Sequence, residues 1–298
     1  MKRIFITATA LLLFSLANAC EICGCGLGNY YIGLYPQFSH RFFGIRYNFN
    51  SFHTRLADDP SQFSNDFYQT VEFWGGWNIG RRVQVLAFIP YNFNHQVSDE
   101  GTTNLQGMGD VALMVNYNVF SKISKNKISQ QLWLGAGVKL RTGNFEIEPT
   151  DPDVAAKANS QLGSGSNDLL LNAMYNLRIN KIGINTSVNY KDNTTNKADY
   201  RFGNKFTAGS FMYYAIVISN VVVSPNVGVM YEHTDESELQ GRKIDLTGGT
   251  LMRGSIGAEM SFNKIAVGFN VQSPIAQNLA ANQTKEKIKG MVHVSFAF

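Results

Sequence analysis

From residue 41 to the end, apolar and polar residues alternate with a period of two, segment after segment. This is the signature of strands whose two faces meet different surroundings. The segment 41–52 sets Phe43, Ile45, Tyr47 and Phe49 against Arg46, Asn48 and Asn50. The spacing predicts further strands over 67–78, 83–94, 109–120, 129–142, 167–179, 181–191, 200–219, 221–233, 250–263, 264–272 and 285–298. In the last, Ile288, Val292, Val294, Phe296 and Phe298 share one face, and Lys287, Lys289, Met291, His293 and Ser295 the other. Pro225 lies inside one segment, where a ladder tolerates it only at a bulge or near an end.

The connections alternate as regularly. Short ones (79–82, 121–128, 180, 220 and 263–264) follow the even-numbered strands. Longer polar ones (53–66, 95–108, 143–166 and 234–249) follow odd-numbered strands. Short periplasmic turns and long external loops belong to an outer-membrane barrel, and an even strand count puts both termini in the periplasm. Phe49, Tyr91, Phe93, Tyr190, Tyr200 and Tyr231 fall at the external ends, and Trp77, Tyr117, Phe120, Trp133, Tyr175, Phe262 and Phe298 at the periplasmic ends. Two aromatic girdles are expected at the membrane interfaces. The fold class expected is all-β: a closed antiparallel transmembrane β-barrel of about twelve strands. The terminal strand ending in Phe298 resembles the signal read by the outer-membrane assembly machinery, which makes that machinery and membrane lipid expected partners.

The beginning of the chain differs. Lys2 and Arg3 precede an apolar run from Ile4 to Leu16 and a small-x-small site at Ala17-Asn18-Ala19, so 1–19 reads as a cleaved secretory signal of an exported protein. Residues 20–39 read as a cysteine-containing periplasmic segment or plug, and 40–298 as the barrel in the outer membrane of a Gram-negative bacterium. Charge is nearly balanced, 26 basic against 22 acidic residues, which gives no footing for nucleic acid. The three cysteines, Cys20, Cys23 and Cys25, fall within six residues. One reading is a disulfide with Cys20 free or acylated; the other is a Cu or Zn site of three thiolates.

Alternation points Arg46, Glu72, Asp110, Lys139, Arg141, Asp168, Arg178, Glu232, Arg253, Glu259 and His293 into the lumen. Their mixed signs suit cross-barrel ion pairs that hold the shape, or a wet path for small solutes. Leu86, Phe88, Met114, Trp133, Leu170, Met174, Phe211 and Met230 also point inward and suit a hydrophobic solute. Enzyme chemistry finds little support. His233-Thr234-Asp235 and Gly163-Ser164-Gly165-Ser166 lack the strand–turn–helix context of a hydrolase elbow. Glu146, Glu148, Asp151 and Asp153 form an acidic loop that is either solvated or a calcium site.

Gln106-Gly107-Met108-Gly109-Asp110-Val111, the run from Leu134 to Thr142-Gly143, and Gly163-Ser164-Gly165-Ser166-Asn167-Asp168 resemble the glycine–aspartate strand starts and threonine–glycine strand end of one family. These are the outer-membrane proteins of the phenol-degradation meta-pathway transporter family. The resemblance implies a barrel that passes small, often hydrophobic compounds, and it brings no catalytic residues. The cysteine cluster is outside that pattern. The expected function is passive passage of small solutes, hydrophobic ones included. The alternatives are a metal-binding protein for uptake or sensing through the cysteines, and a structural or adhesive barrel.

Overall fold

The computed structural model describes residues 41–298 except 58, 60, 100, 125, 126 and 151–153. The expected signal and cysteine segment, Asp151 and Asp153 lie outside the described residues. The alternating segments become β1 (Phe42–Arg55), β2 (Phe63–Ile79), β3 (Val83–Ser98), β4 (Gly101–Met108), β5 (Val111–Ile123), β6 (Ile128–Leu140), β7 (Asp168–Ile179) and β8 (Ile182–Asp192). There follow β9 (Tyr200–Arg201), β10 (Lys205–Tyr214), β11 (Ile216–Ile218), β12 (Val221–Thr234), β13 (Glu238–Leu239) and β14 (Arg242–Lys243). The chain ends with β15 (Gly249–Phe262), β16 (Ile265–Leu279) and β17 (Thr284–Ala297). Among the described residues an α-helix, α1 (Val154–Ser160), lies between β6 and β7.

β4 and β5 both pair with β3, and β10 and β11 both pair with β12, so each couple is one interrupted strand. Counted so, the molecule is a closed antiparallel barrel of 12 strands. β1 and β17 pair from Phe42↔Ala297 to Thr54↔Thr284, leaving no free edge. Asn180, Ser219 and Asn263 take positive φ of 55°, 54° and 52° in the turns of the tight hairpins.

The faces follow the alternation. Phe43, Phe73, Val115, Ile256, Phe269 and Val294 are exposed on the outside, with Ile256 63% exposed. In water this belt would be untenable, and acyl chains are its natural solvent. The barrel is an outer-membrane barrel and contacts lipid around its girth.

Three strand prolines mark breaks in the ladder. Pro90 pairs with Glu72 of β2, while the junction of β4 and β5 falls opposite it on the other side. Pro225 keeps register with Ala258 of β15 and faces the junction of β10 and β11. Pro274 sits beside the bulge at Met252/Arg253 and within the gap in the β16–β17 pairing. A residue without an N–H is harmless where the ladder is already open.

Several boundaries move. The connection expected over 95–108 is mostly strand, because β3 and β4 continue the hairpin outward. β16 runs past 272 to Leu279. The strand expected from 200 starts at Lys205 instead, and β9 leaves the barrel to join β13 and β14 in a small separate sheet. Tyr200 is therefore no girdle residue: it is 0% exposed and meets the Phe202 ring edge to face, centroids 4.9 Å apart. Trp133 also leaves the girdle and is buried inside, where β6 presents its inner face.

The long connections roof the external mouth. Val154, Ala158, Tyr200 and Phe202 form a buried cluster with Phe145, Ile147, Leu239 and Ile244, drawn from three connections. Asn92 and Asn94, on β3, donate to the carbonyls of Leu162 and Ser160 at 2.9 and 2.8 Å. The 141–167 connection is thereby tied to the β3 wall.

Candidate functional site

The interior has two unlike walls. On the β1–β7 side, Phe42, Trp74, Leu86, Phe88, Ala112, Met114, Trp133, Leu170 and Met174 form one buried apolar cluster. Six of the eight apolar residues that alternation turns inward are in it. The other two, Phe211 and Met230, pack with Met291 and Tyr213 on the opposite wall. Gly76 leaves room for this packing, since a Cβ there would meet the Phe42 ring at 2.4 Å.

Among the charged residues, Asp110, Lys139 and Asp168 converge at the external end of β5, β6 and β7. Lys139 Nζ pairs with Asp110 at 2.9 Å and Asp168 at 2.5 Å. Asp110 further accepts from Ser164 N at 2.8 Å, Ser164 Oγ at 2.9 Å and Gly143 N at 3.0 Å. Lys139 also donates to Ser164 Oγ, and Asp168 accepts from Ser166 Oγ at 2.8 Å and Thr194 N at 3.0 Å.

The quoted sequence fragments meet here, and the geometry gives their reasons. Thr142 Oγ1 accepts from Val111 N at 2.8 Å and donates to Gly109 O at 2.8 Å, standing in for the ladder where β6 ends. A Cβ on Gly143 would lie 2.7 Å from Gly163 Cα, and one on Gly163 would lie 2.5 Å from Asp110 Oδ1. The two backbones must touch, so both positions need glycine.

Arg253 organises the second cluster. Its Nε and Nη2 hold Glu286 at 2.6 and 2.8 Å, and its Nη1 holds Glu232 at 2.9 Å. Lys205 Nζ reaches the same Glu232 at 3.0 Å. Glu286 is unforeseen in the sequence. The bulge at Ser51/Phe52 leaves Lys287 unpaired and reverses the parity of β17 below it, so Glu286 turns inward.

Arg46 pairs with Glu72 at 2.5 Å, its guanidinium 5.4 Å from the Trp74 ring and 5.3 Å from that of Phe88. His293 Nε2 meets Glu259 at 3.3 Å. Two residues depart from the lumen placement. Arg141 lies one residue beyond β6, exposed in an external cleft. Arg178 keeps the inner parity but reaches the periplasmic rim, where it is exposed and its Nε donates to Asn180 O at 3.0 Å. In both, the side chain runs past the wall into solvent.

The external cleft, about 770 Å³, is lined by Arg141, Phe145, Glu146, Glu148, Lys157 and Lys197 among others. Ser164 is engaged in the Lys139 cluster, and His233 pairs with Asp235 at 3.2 Å in solvent, so those two hydrolase candidates lie apart. Among the described residues no group of three or more His, Cys, Asp or Glu is placed to hold a metal.

No protein-family model matches the chain, and no curated protein does. Solved structures do. The COG4313 outer membrane channel from Pseudomonas putida F1 superposes with a TM-score of 0.65 at 15% identity, over 89% of this chain and 98% of that one. The β domain of the Bordetella autotransporter BrkA gives 0.52 at 8% identity, over 87% and 100%. Likeness at such identity establishes the barrel fold.

Proposed function

We propose that the chain is a passive outer-membrane channel for small solutes, hydrophobic ones included. The observation that carries this is a set of inner-wall polar atoms that find no partner among the described residues: both amide atoms of Asn116 and of Asn172, Asn226 Oδ1, Gln272 Oε1 and His293 Nδ1. A buried polar atom left unpaired costs about 1–3 kcal/mol. Side-chain movement that admits water or solute to these atoms removes that cost, and a barrel that served only as an anchor would gain by filling these positions with apolar side chains. The reading assigns no catalytic step. It includes membership of the phenol-degradation meta-pathway transporter family, which rests on the fragments that meet around Asp110.

The test is single-channel recording in planar bilayers. Folded protein is expected to give discrete conductance steps, and their absence from protein that migrates as a folded barrel on unheated gels refutes the channel. The cysteine segment supports a second reading, binding of Cu or Zn by Cys20, Cys23 and Cys25. Protein with its native N-terminus should then carry metal that the Cys23→Ser, Cys25→Ser double variant lacks.

A further inference from the structure

We propose that the lumen holds a station for an organic anion, a carboxylate on an apolar body, between Lys289 and the shelf of Phe211, Met230 and Met291. This rests on the channel reading. On β17, Lys289 faces inward between Asn50 of β1 and Gln272 of β16. Glu232, Glu286, Lys205 and Arg253 all lie within electrostatic reach of its ammonium. The two glutamates are already taken, Glu286 by Arg253 and Glu232 by Arg253 and Lys205. Lys289 is the third cation against two carboxylates, and among the described residues it makes no ion pair or hydrogen bond. The flanking acceptors Asn50 Oδ1 and Gln272 Oε1 likewise find no partner among the described residues.

An excess cation in a wall of low dielectric is costly unless an anion or water answers it. The apolar half of the station is adjacent. Met291 is the next inward residue after Lys289, Met230 stands opposite Arg253 in the ladder, and Phe211 stands opposite Gly228. A Cβ on Gly228 would meet the Phe211 ring at 2.4 Å, so the glycine makes space for the ring. Two thioethers and a phenyl ring, buried against one another, form an adaptable, polarisable cluster that can repack around an aromatic or aliphatic body. A carboxylate on Lys289 thus brings its body against the shelf. A neutral analogue forgoes the charge, and a cation is repelled.

The full-length chain in planar bilayers tests this. With a KCl gradient, the reversal potential is expected to show preference for chloride, reduced in Lys289→Gln and inverted in Lys289→Glu. Benzoate should reduce the chloride current at roughly tenfold lower concentration than benzyl alcohol, a hydrogen-bonded charge being worth that factor, and Lys289→Gln should erase the difference. Acetate, which lacks the body, should need roughly tenfold more than benzoate. Lys289→Gln removes an unpaired cation and is expected to fold, so the result does not depend on the harsher Lys289→Glu. Discrete steps with no anion preference, or equal effects of benzoate, benzyl alcohol and acetate, overturn the station and leave the channel standing. Absence of any steps removes both.

Discussion

Lys139 and Lys289 both face the interior, five strands apart around the barrel, and they are used in opposite ways. Lys139 is enclosed by Asp110, Asp168 and Ser164, and the same aspartates bind the backbone of Gly143, Ser164 and Thr194. Its charge is spent on fastening connections to the wall. Lys289 has two carboxylates nearby, but Arg253 and Lys205 hold them. The difference teaches that the sign of a lumen residue decides little. Whether its partners are already committed decides whether it builds the barrel or addresses what enters it.

The sharpest way to break this comparison is to neutralise the first lysine. Lys139→Met leaves two buried carboxylates without their cation and is expected to lower unfolding free energy in lipid vesicles by roughly 3–5 kcal/mol, measured by urea titration. A loss as small as that of a surface substitution would mean the cluster fastens nothing. Next comes Glu286→Gln, which takes the bidentate partner from Arg253 and should cost about 2 kcal/mol while moving the reversal potential further toward anions. A shift toward cations would contradict the electrostatics assigned to that wall.

Ser164→Ala removes one of several donors to Asp110 and should cost about 1 kcal/mol, with higher conductance as the 141–167 connection loosens. Unchanged conductance would separate the connection from the permeation path. Least of all, Lys289→Gln should leave stability within about 0.5 kcal/mol of the parent, because no partner of its own is orphaned. A large loss there would put Lys289 in the same class as Lys139.

The sequence carries the barrel well where membrane and lumen impose opposite demands on successive residues. Phe43, Ile45 and Tyr47 face out and Arg46 in, as the alternation reads. It fails where something else sets the geometry. Tyr200 has the composition of a girdle residue, but packing among three connections withdraws it from the wall. Trp133 is amphipathic enough for an interface, and its parity on β6, between Leu132 and Leu134, is what decides. Glu286 is hidden by a bulge, which one sequence does not reveal. Asp110, Lys139 and Asp168 share parity and depth, so their meeting was legible; that Ser164 would join them was not, since a connection of more than twenty residues has many paths.

The three prolines carry a consequence for how the cylinder assembles. Each stands where its missing donor costs nothing, and only in the native alignment of its neighbours. Were a strand to slide by two residues, keeping its lipid and lumen faces correct, Pro90, Pro225 or Pro274 would confront an intact ladder and strand an acceptor. The alternation of side chains is blind to that error, and the imino acids are not. They act as alignment marks, penalising the mispairing that the hydrophobic pattern alone would let through.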